Sequence, residues 1–162
     1  MIGVKSGKKL HEGHIQAGLA AFINYRKHLI VPNVSWGWGL THEADLIVVR
    51  SRMATEIEIK LTLADLKADL KKQHSHNSKK ISKLVYCVWE DHVDFVKNNF
   101  DAKVGIIAFS KITNENVDYI RFKWIRPGRS KRIYLSLDDE FSLLRLAAMR
   151  VWNLKLKLYG LN

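Results

Sequence analysis

Apolar residues recur at helical spacing near the start of the chain. Ile15, Leu19, Phe22, Ile23 and Ile30, with polar residues between them, predict a helix over about 9–29. Val34-Ser35-Trp36-Gly37-Trp38 reads as a strand, followed by a Gly/Thr/His turn. Asp45-Leu46-Ile47-Val48-Val49 is a continuous apolar strand with an acid at its start. A short turn at 51–53 leads into residues 54–61, whose strict alternation predicts a second strand. Thr62-x-x-Asp65 is a capping box, and it opens a helix that carries Leu63, Leu66 and Leu70 inward to about His74. Leu84 to Trp89 and Val104 to Phe109 are buried strands, and between them Asp91 caps a short helix to about Asn99. Residues 117–126 form a more exposed strand, Pro127-Gly128 a turn, and Ser136-x-x-Asp139 caps a last helix to about Leu158. The order is α-β-β-β-α-β-α-β-β-α: an α/β (α+β) domain over 1–162, with a mixed central sheet flanked by helices.

Charge and composition narrow what such a domain could do. There are 27 Lys plus Arg against 16 Asp plus Glu, a formal charge of +11, which points to a polyanionic partner. The single cysteine, Cys87, excludes a disulfide framework and a Cys-based zinc site. No apolar run approaches the roughly 20 residues of a membrane span. The first residues lack the apolar core of a signal peptide. The expectation is a cytoplasmic protein with no membrane partner, nucleoid-associated when bound to DNA.

The candidate chemistry sits in the alternating strand. Glu56, Glu58 and Lys60 share one face of it, and Thr55, Ile57 and Ile59 share the other. Alone, such a face reads as an edge strand in solvent. Asp45 changes that reading, because a short turn pairs its strand with this one and brings Asp45 within reach of the Glu58 to Lys60 end. Carboxylates drawn together repel unless a cation sits between them, and a hard divalent cation with oxygen ligands is the usual solution.

An Asp followed by Glu-x-Lys on the next strand resembles the PD-(D/E)XK nuclease superfamily. The chain is more similar still to the MmcB-like family of DNA-repair nucleases. The matching stretches are Ala44-Asp45-Leu46, Glu58-Ile59-Lys60, Leu63-Ala64-Asp65-Leu66, Asp69-Leu70-Lys71, Leu84 to Val88 and Val104 to Ile107. The superfamily's Pro before the Asp is Ala44 here. The resemblance covers about 13–154 and implies a restriction-endonuclease-like fold. It also implies a Mg²⁺- or Mn²⁺-dependent endonuclease acting on DNA in repair or recombination. Asp45, Glu58 and the backbone carbonyl of Ile59 would hold the metal, and Lys60 would hold the attacking water or the developing charge. A catalytically inactive DNA-binding module with a vestigial metal site is the alternative, and a scaffold with an ordinary charged strand is a third reading.

Glu12 lies within about 20° of Leu19 and Ile23 on the helical wheel. It is either a further group of the metal site, as the resemblance suggests, or an acid favoured by the helix dipole. Glu56 reads as an outer group of the site or, in preference, a solvated charge, Asp65 as a cap, and Asp69 with Lys72 as a surface pair. Two basic segments complete the picture: six lysines from Lys67 to Lys83, and six basic residues from Arg121 to Arg132. Candidate phosphate contacts are Lys67, Lys71, Lys72, His74, Lys79, Lys80, Arg121, Lys123, Arg126 and Arg129. Both segments are expected to flank the carboxylates. About six contacts would give a salt slope of roughly −5. Trp36 and Trp38 are either a stacking platform for unpaired bases or sheet packing. A homodimer is compatible with this reading.

Overall fold

The computed structural model describes residues 2–5, 9–71, 78–114 and 117–160. Seven strands form one mixed sheet in the order β1-β7-β6-β5-β4-β3-β2. In chain order the elements are β1 (Ile2–Lys5), α1 (Glu12–Ile23), β2 (Leu29–Val34), β3 (Ala44–Arg50) and β4 (Met53–Lys60). They continue with α2 (Leu63–Leu70), β5 (Ile81–Trp89), α3 (Val93–Asn99), β6 (Gly105–Asn114), β7 (Val117–Arg126) and α4 (Leu137–Leu158). β2, β3 and β4 are antiparallel neighbours; β4–β5 and β5–β6 are parallel, with α2 and α3 as the crossovers. Among the described residues, no helix is long and apolar enough to cross a membrane.

The predicted order of elements is present, with β1 added at the sheet edge beside β7. Several boundaries moved: β5 begins at Ile81 rather than Leu84, and β6 runs on to Asn114 rather than ending at Phe109. Helix α1 stops at Ile23 because Asn24 takes a left-handed conformation (φ 75°). The first of the three meander strands is Leu29–Val34, not Val34–Trp38, and Trp36–Trp38 is a single 3-10 turn. This strand holds Pro32, which the ladder tolerates because β2 is an edge. A 3-10 turn at Glu90–His92 precedes α3, so His92, not Asp91, is its N-cap residue. Both capping boxes are present: Thr62 with Asp65, and Ser136 with Asp139.

Hairpin β3–β4 turns on two residues, Ser51 (φ 48°) and Arg52 (φ 62°). Positive φ at both positions gives the turn the twist of the flanking strands and fixes their register. Arg50 pairs with Met53 and Leu46 with Ile57. Continued one step further, that register sets Asp45 opposite Glu58.

Each sheet face has its own cover. On one face α1 lays Ile15 and Leu19 on Leu46, Val48, Ile57, Ile59, Val85, Cys87 and Ile107. On the other, α2 and α3 cover Tyr86, Val88, Ile106 and Ala108, while Leu143 of α4 packs near Ile47, Val49 and Ala54. Gly18 lets α1 approach this closely, since a Cβ there would lie 2.5 Å from the Phe122 ring. Gly18→Ala is therefore expected to destabilise the fold by roughly 1–3 kcal/mol through overpacking, read as a lowered midpoint in urea. An unchanged midpoint would mean that Phe122 rotates away at no cost.

Candidate metal centre

The carboxylates gather where β4 ends and β3 begins. A cavity of about 300 Å³ opens there, lined by Glu12, Asp45, Ile59, Lys60, Leu61, Asp65, Ala68 and Asp69. Three elements supply it. The first turn of α1 brings Glu12, the β3–β4 pair brings Asp45, Ile59 and Lys60, and α2 brings Asp65 and Asp69.

The Asp45 carboxylate is held in place by the Ile59 amide, which donates to Oδ2 at 2.6 Å. Burial and the neighbouring charge of Glu58 raise its pKa to about 6, against the Ile59 hydrogen bond and the Lys60 charge, which lower it. Glu58 is only 4% exposed, and Lys60 Nζ donates to its Oε2 at 2.7 Å. Burial works to lower the Lys60 pKa, but Glu58, Asp69 and Asp45 outweigh it, so the net shift is upward and the ammonium keeps its proton. Glu12 joins the group through burial and the charges of Asp45 and Glu43, which raise its pKa. Gln16, one turn along α1, donates to Glu12 Oε1 at 2.8 Å, to Asn33 Oδ1 at 2.9 Å and to the Asp45 carbonyl at 3.1 Å. That amide ties α1 to the β2–β3 edge and fixes Glu12 beside Asp45.

Behind the cavity the polar row continues inward. Glu56 is fully buried and accepts or shares a proton with His42 Nε2 at 2.6 Å. It is therefore an interior group rather than a solvated charge. Asp69 is likewise buried rather than on the surface: its Oδ1 lies 3.4 Å from Lys60 Nζ, and its Oδ2 accepts from the Tyr86 hydroxyl. Among the described residues, the metal-ligating groups that gather as three are His42, Glu56 and Glu58, with ligand atoms within 4.8 Å of one another. His42, Asp69 and Tyr86 are the site residues that sequence reasoning missed. Tyr86 had a weak signal, since it pairs in register with Glu58 and so shares its face; His42 lies in a turn and had none.

The basic residues divide differently from the expectation. Asp65, Ala68 and Asp69 of α2 line the cavity, and Lys67 and Lys71 stand exposed on the same helix. Lys123 is in register with Lys60 across Val88 and Ala108, on the same sheet face, at about 14 Å for three strand spacings. Arg121 pairs with Ser110 and stands beside it on that face. The other candidates do not flank the site. Lys79 and Lys80 precede β5, at the end of the sheet about 20 Å from Lys60. Lys80 is committed there to Asp139 at 2.7 Å and to the Trp38 carbonyl at 3.0 Å. Arg126 donates to the Val104 carbonyl, and Arg129 lines a basic hollow with Lys83, Lys103 and Lys131 at that same far end. Charge runs along a chain do not specify which end of a strand they reach. Trp38 is 2% exposed and donates to the Asp139 carbonyl, so it packs the core and offers no stacking face. Lys72, His74 and the Trp36 side chain lie outside the described residues.

Asp45 lines the polar cavity, and the charge of Glu58, buried beside it, helps to raise its pKa; a divalent ion next to the two would relieve that repulsion. No family model and no curated protein sequence matches the chain. Its fold is similar to a solved structure, a protein of unknown function from Silicibacter pomeroyi, with TM-score 0.64 and 16% identity over 94% of each chain. That similarity shows a shared architecture and leaves the chemistry to the residues.

Proposed function

We propose that the chain is a metal-dependent nuclease that hydrolyses DNA phosphodiester bonds, with a restriction-endonuclease-like arrangement of Asp45, Glu58 and Lys60. The observation that carries this reading is the register of β3 and β4. It sets Asp45 against Glu58 at an open cavity, with Lys60 one alternation further on the same face.

Asp45 and Glu58 would hold Mg²⁺ or Mn²⁺, with the Ile59 carbonyl as a further oxygen donor. When bound, such an ion supplies a water of lowered pKa and neutralises phosphate charge. The chain's own groups do the rest. Lys60, kept protonated by its acidic neighbours, has one N–H donated to Glu58 and would offer a remaining one to a nucleophile or to the charge that develops on phosphorus-bound oxygens. Asp69 holds that ammonium from behind and is itself held by the Tyr86 hydroxyl, so both are positioning residues. Glu12, anchored by Gln16, can accept a hydrogen bond from water in the cavity. Lys67, Lys71, Arg121 and Lys123 would take the phosphates on either side.

The test is cleavage of labelled duplex, single-stranded, flap and junction DNA with Mg²⁺ or Mn²⁺. Wild type is compared with Glu58→Gln, the fold of each being checked by circular dichroism. Cleavage of at least one form, reduced on the order of 10²–10³-fold in the variant, is the expected result. Equal cleavage by both proteins would assign the activity elsewhere. Salt-sensitive binding without cleavage in either metal would replace the nuclease with a DNA-binding module.

A further inference from the structure

Helix α4 is built to be covered, and only its first half is. Leu143 is its one buried residue, and residues 151–160 are all exposed. Arg150 donates to the Asn33 carbonyl. Beyond that tether the helix leaves the sheet. A free stretch of helix this short is marginal in water, because helices in proteins draw their stability from a packed apolar face.

Seven exposed residues of α4 form one row: Leu137, Phe141, Leu144, Ala148, Val151, Lys155 and Leu158 alternate in steps of four and three, the spacing of a coiled-coil seam, while the exposed Met149, Trp152, Leu154 and Leu156 lie off it. All seven are exposed, from 73% for Leu137 to 74% for Leu158 at the two ends. Exposed apolar rows of this length mark an interaction surface. Charge specifies the partner. Of the acids in the first turn, Asp139 pairs with Lys80 and Glu140 with Arg52, which leaves Asp138 exposed, and the last turns carry Lys155 and Lys157. A helix acidic at one end and basic at the other is complementary to itself only when reversed. A two-fold interface requires that kind of self-complementarity.

We propose that α4 packs against α4 of a second copy of this chain as an antiparallel two-helix coil, making the protein a homodimer. The two-fold axis falls between Ala148 and Val151. Phe141 then opposes Leu158 of the partner subunit. Leu144 opposes the stem of Lys155 of the partner subunit, whose ammonium reaches the partner helix's acidic turn. Ala148, the smallest seam residue, allows the close approach at the centre.

Sedimentation at about 50 µM tests the assembly, in the range of a micromolar dimer. Wild type is expected to be a dimer, and Leu144→Lys and Val151→Lys to be monomers with unchanged circular dichroism, since both positions are exposed. Spin labels at Met149→Cys or Gly160→Cys test the direction, with Cys87 buried and unreactive. An antiparallel pair gives a short distance between the two labels at 149 and one of roughly 30 Å at 160. A monomeric wild type, a dimer that survives Val151→Lys, or short distances at both positions would each overturn the proposal. So would a monomer that floats with anionic vesicles through α4, which would make a lipid surface the occupant.

Discussion

Asp45→Asn is expected to cut cleavage sharply and, at the same time, to make the cation-free protein more stable at pH 8. The two effects share one cause. Asp45 titrates at about 6 in the folded chain, above the ordinary carboxylate, because burial and Glu58 disfavour its charge. Between roughly pH 4 and pH 6 the folded state therefore binds a proton that the unfolded state releases. Stability falls as pH rises through that window, and above it the full cost is present. Asn keeps an acceptor for the Ile59 amide and removes the charge. Asp45 faces a solvent-filled cavity, which screens it, so the gain is on the order of 1 kcal/mol, a few degrees in Tm. At pH 4 the two proteins should melt together. A saturating divalent cation reverses the order at pH 8, since an ion at 100 times its Kd adds about 2.7 kcal/mol to wild type and far less to a site that has lost a charged ligand. Cleavage by the variant drops on the order of 10²–10³-fold. Thermal melts with EDTA and with Mn²⁺ at the two pH values read all of this. A variant less stable than wild type at pH 8 in EDTA, or an equal cation shift in both proteins, would remove Asp45 from the metal site.

Much of this site was legible because it depends on local rules. Period-two alternation put Glu56, Glu58 and Lys60 on one face, and a short turn read at 51–53 brought Asp45 within reach of them; the two-residue turn and its register came with the structure. Capping chemistry located the start of α2 at Thr62 and of α4 at Ser136. What stayed hidden depends on contacts far apart in sequence. Glu56 and Asp69 look like surface acids in any local window; they are interior because α2 and the His42 turn close over β4 and β5. Trp38 looks available for stacking until the start of α4 covers it. The edge position of β2, which tolerates Pro32, follows from the order of the whole sheet, and so does the end of the sheet at which each basic segment emerges.

Lys60→Met should be the most damaging single change in the cavity, and its damage should depend on pH and on cations. The ammonium lies between Glu58 at 2.7 Å and Asp69 at 3.4 Å, and all three side chains are nearly buried. Methionine preserves the stem and removes the ammonium that lies between the two carboxylates. Breaking a buried ion pair from one side costs about 3–5 kcal/mol, roughly 10 °C here. The sign with pH follows from the same groups. In wild type the raised Lys60 pKa keeps the ammonium charged throughout the neutral range, so this interaction is lost only far into the alkaline. In the variant Asp45, whose pKa of about 6 the Lys60 charge helps to hold down, binds its proton still more tightly in the folded state, so the deficit shrinks as pH falls toward 5 and grows toward 8. A divalent cation supplies the missing positive charge beside Glu58. Mn²⁺ should therefore recover part of the lost Tm at pH 8 even though cleavage, which needs the Lys60 donors, stays low. Melts of wild type and variant at pH 5 and pH 8, with EDTA and with Mn²⁺, separate the outcomes. A deficit that is the same at both pH values and indifferent to the metal would mean that Lys60 serves only as packing and that Glu58 is not a metal ligand.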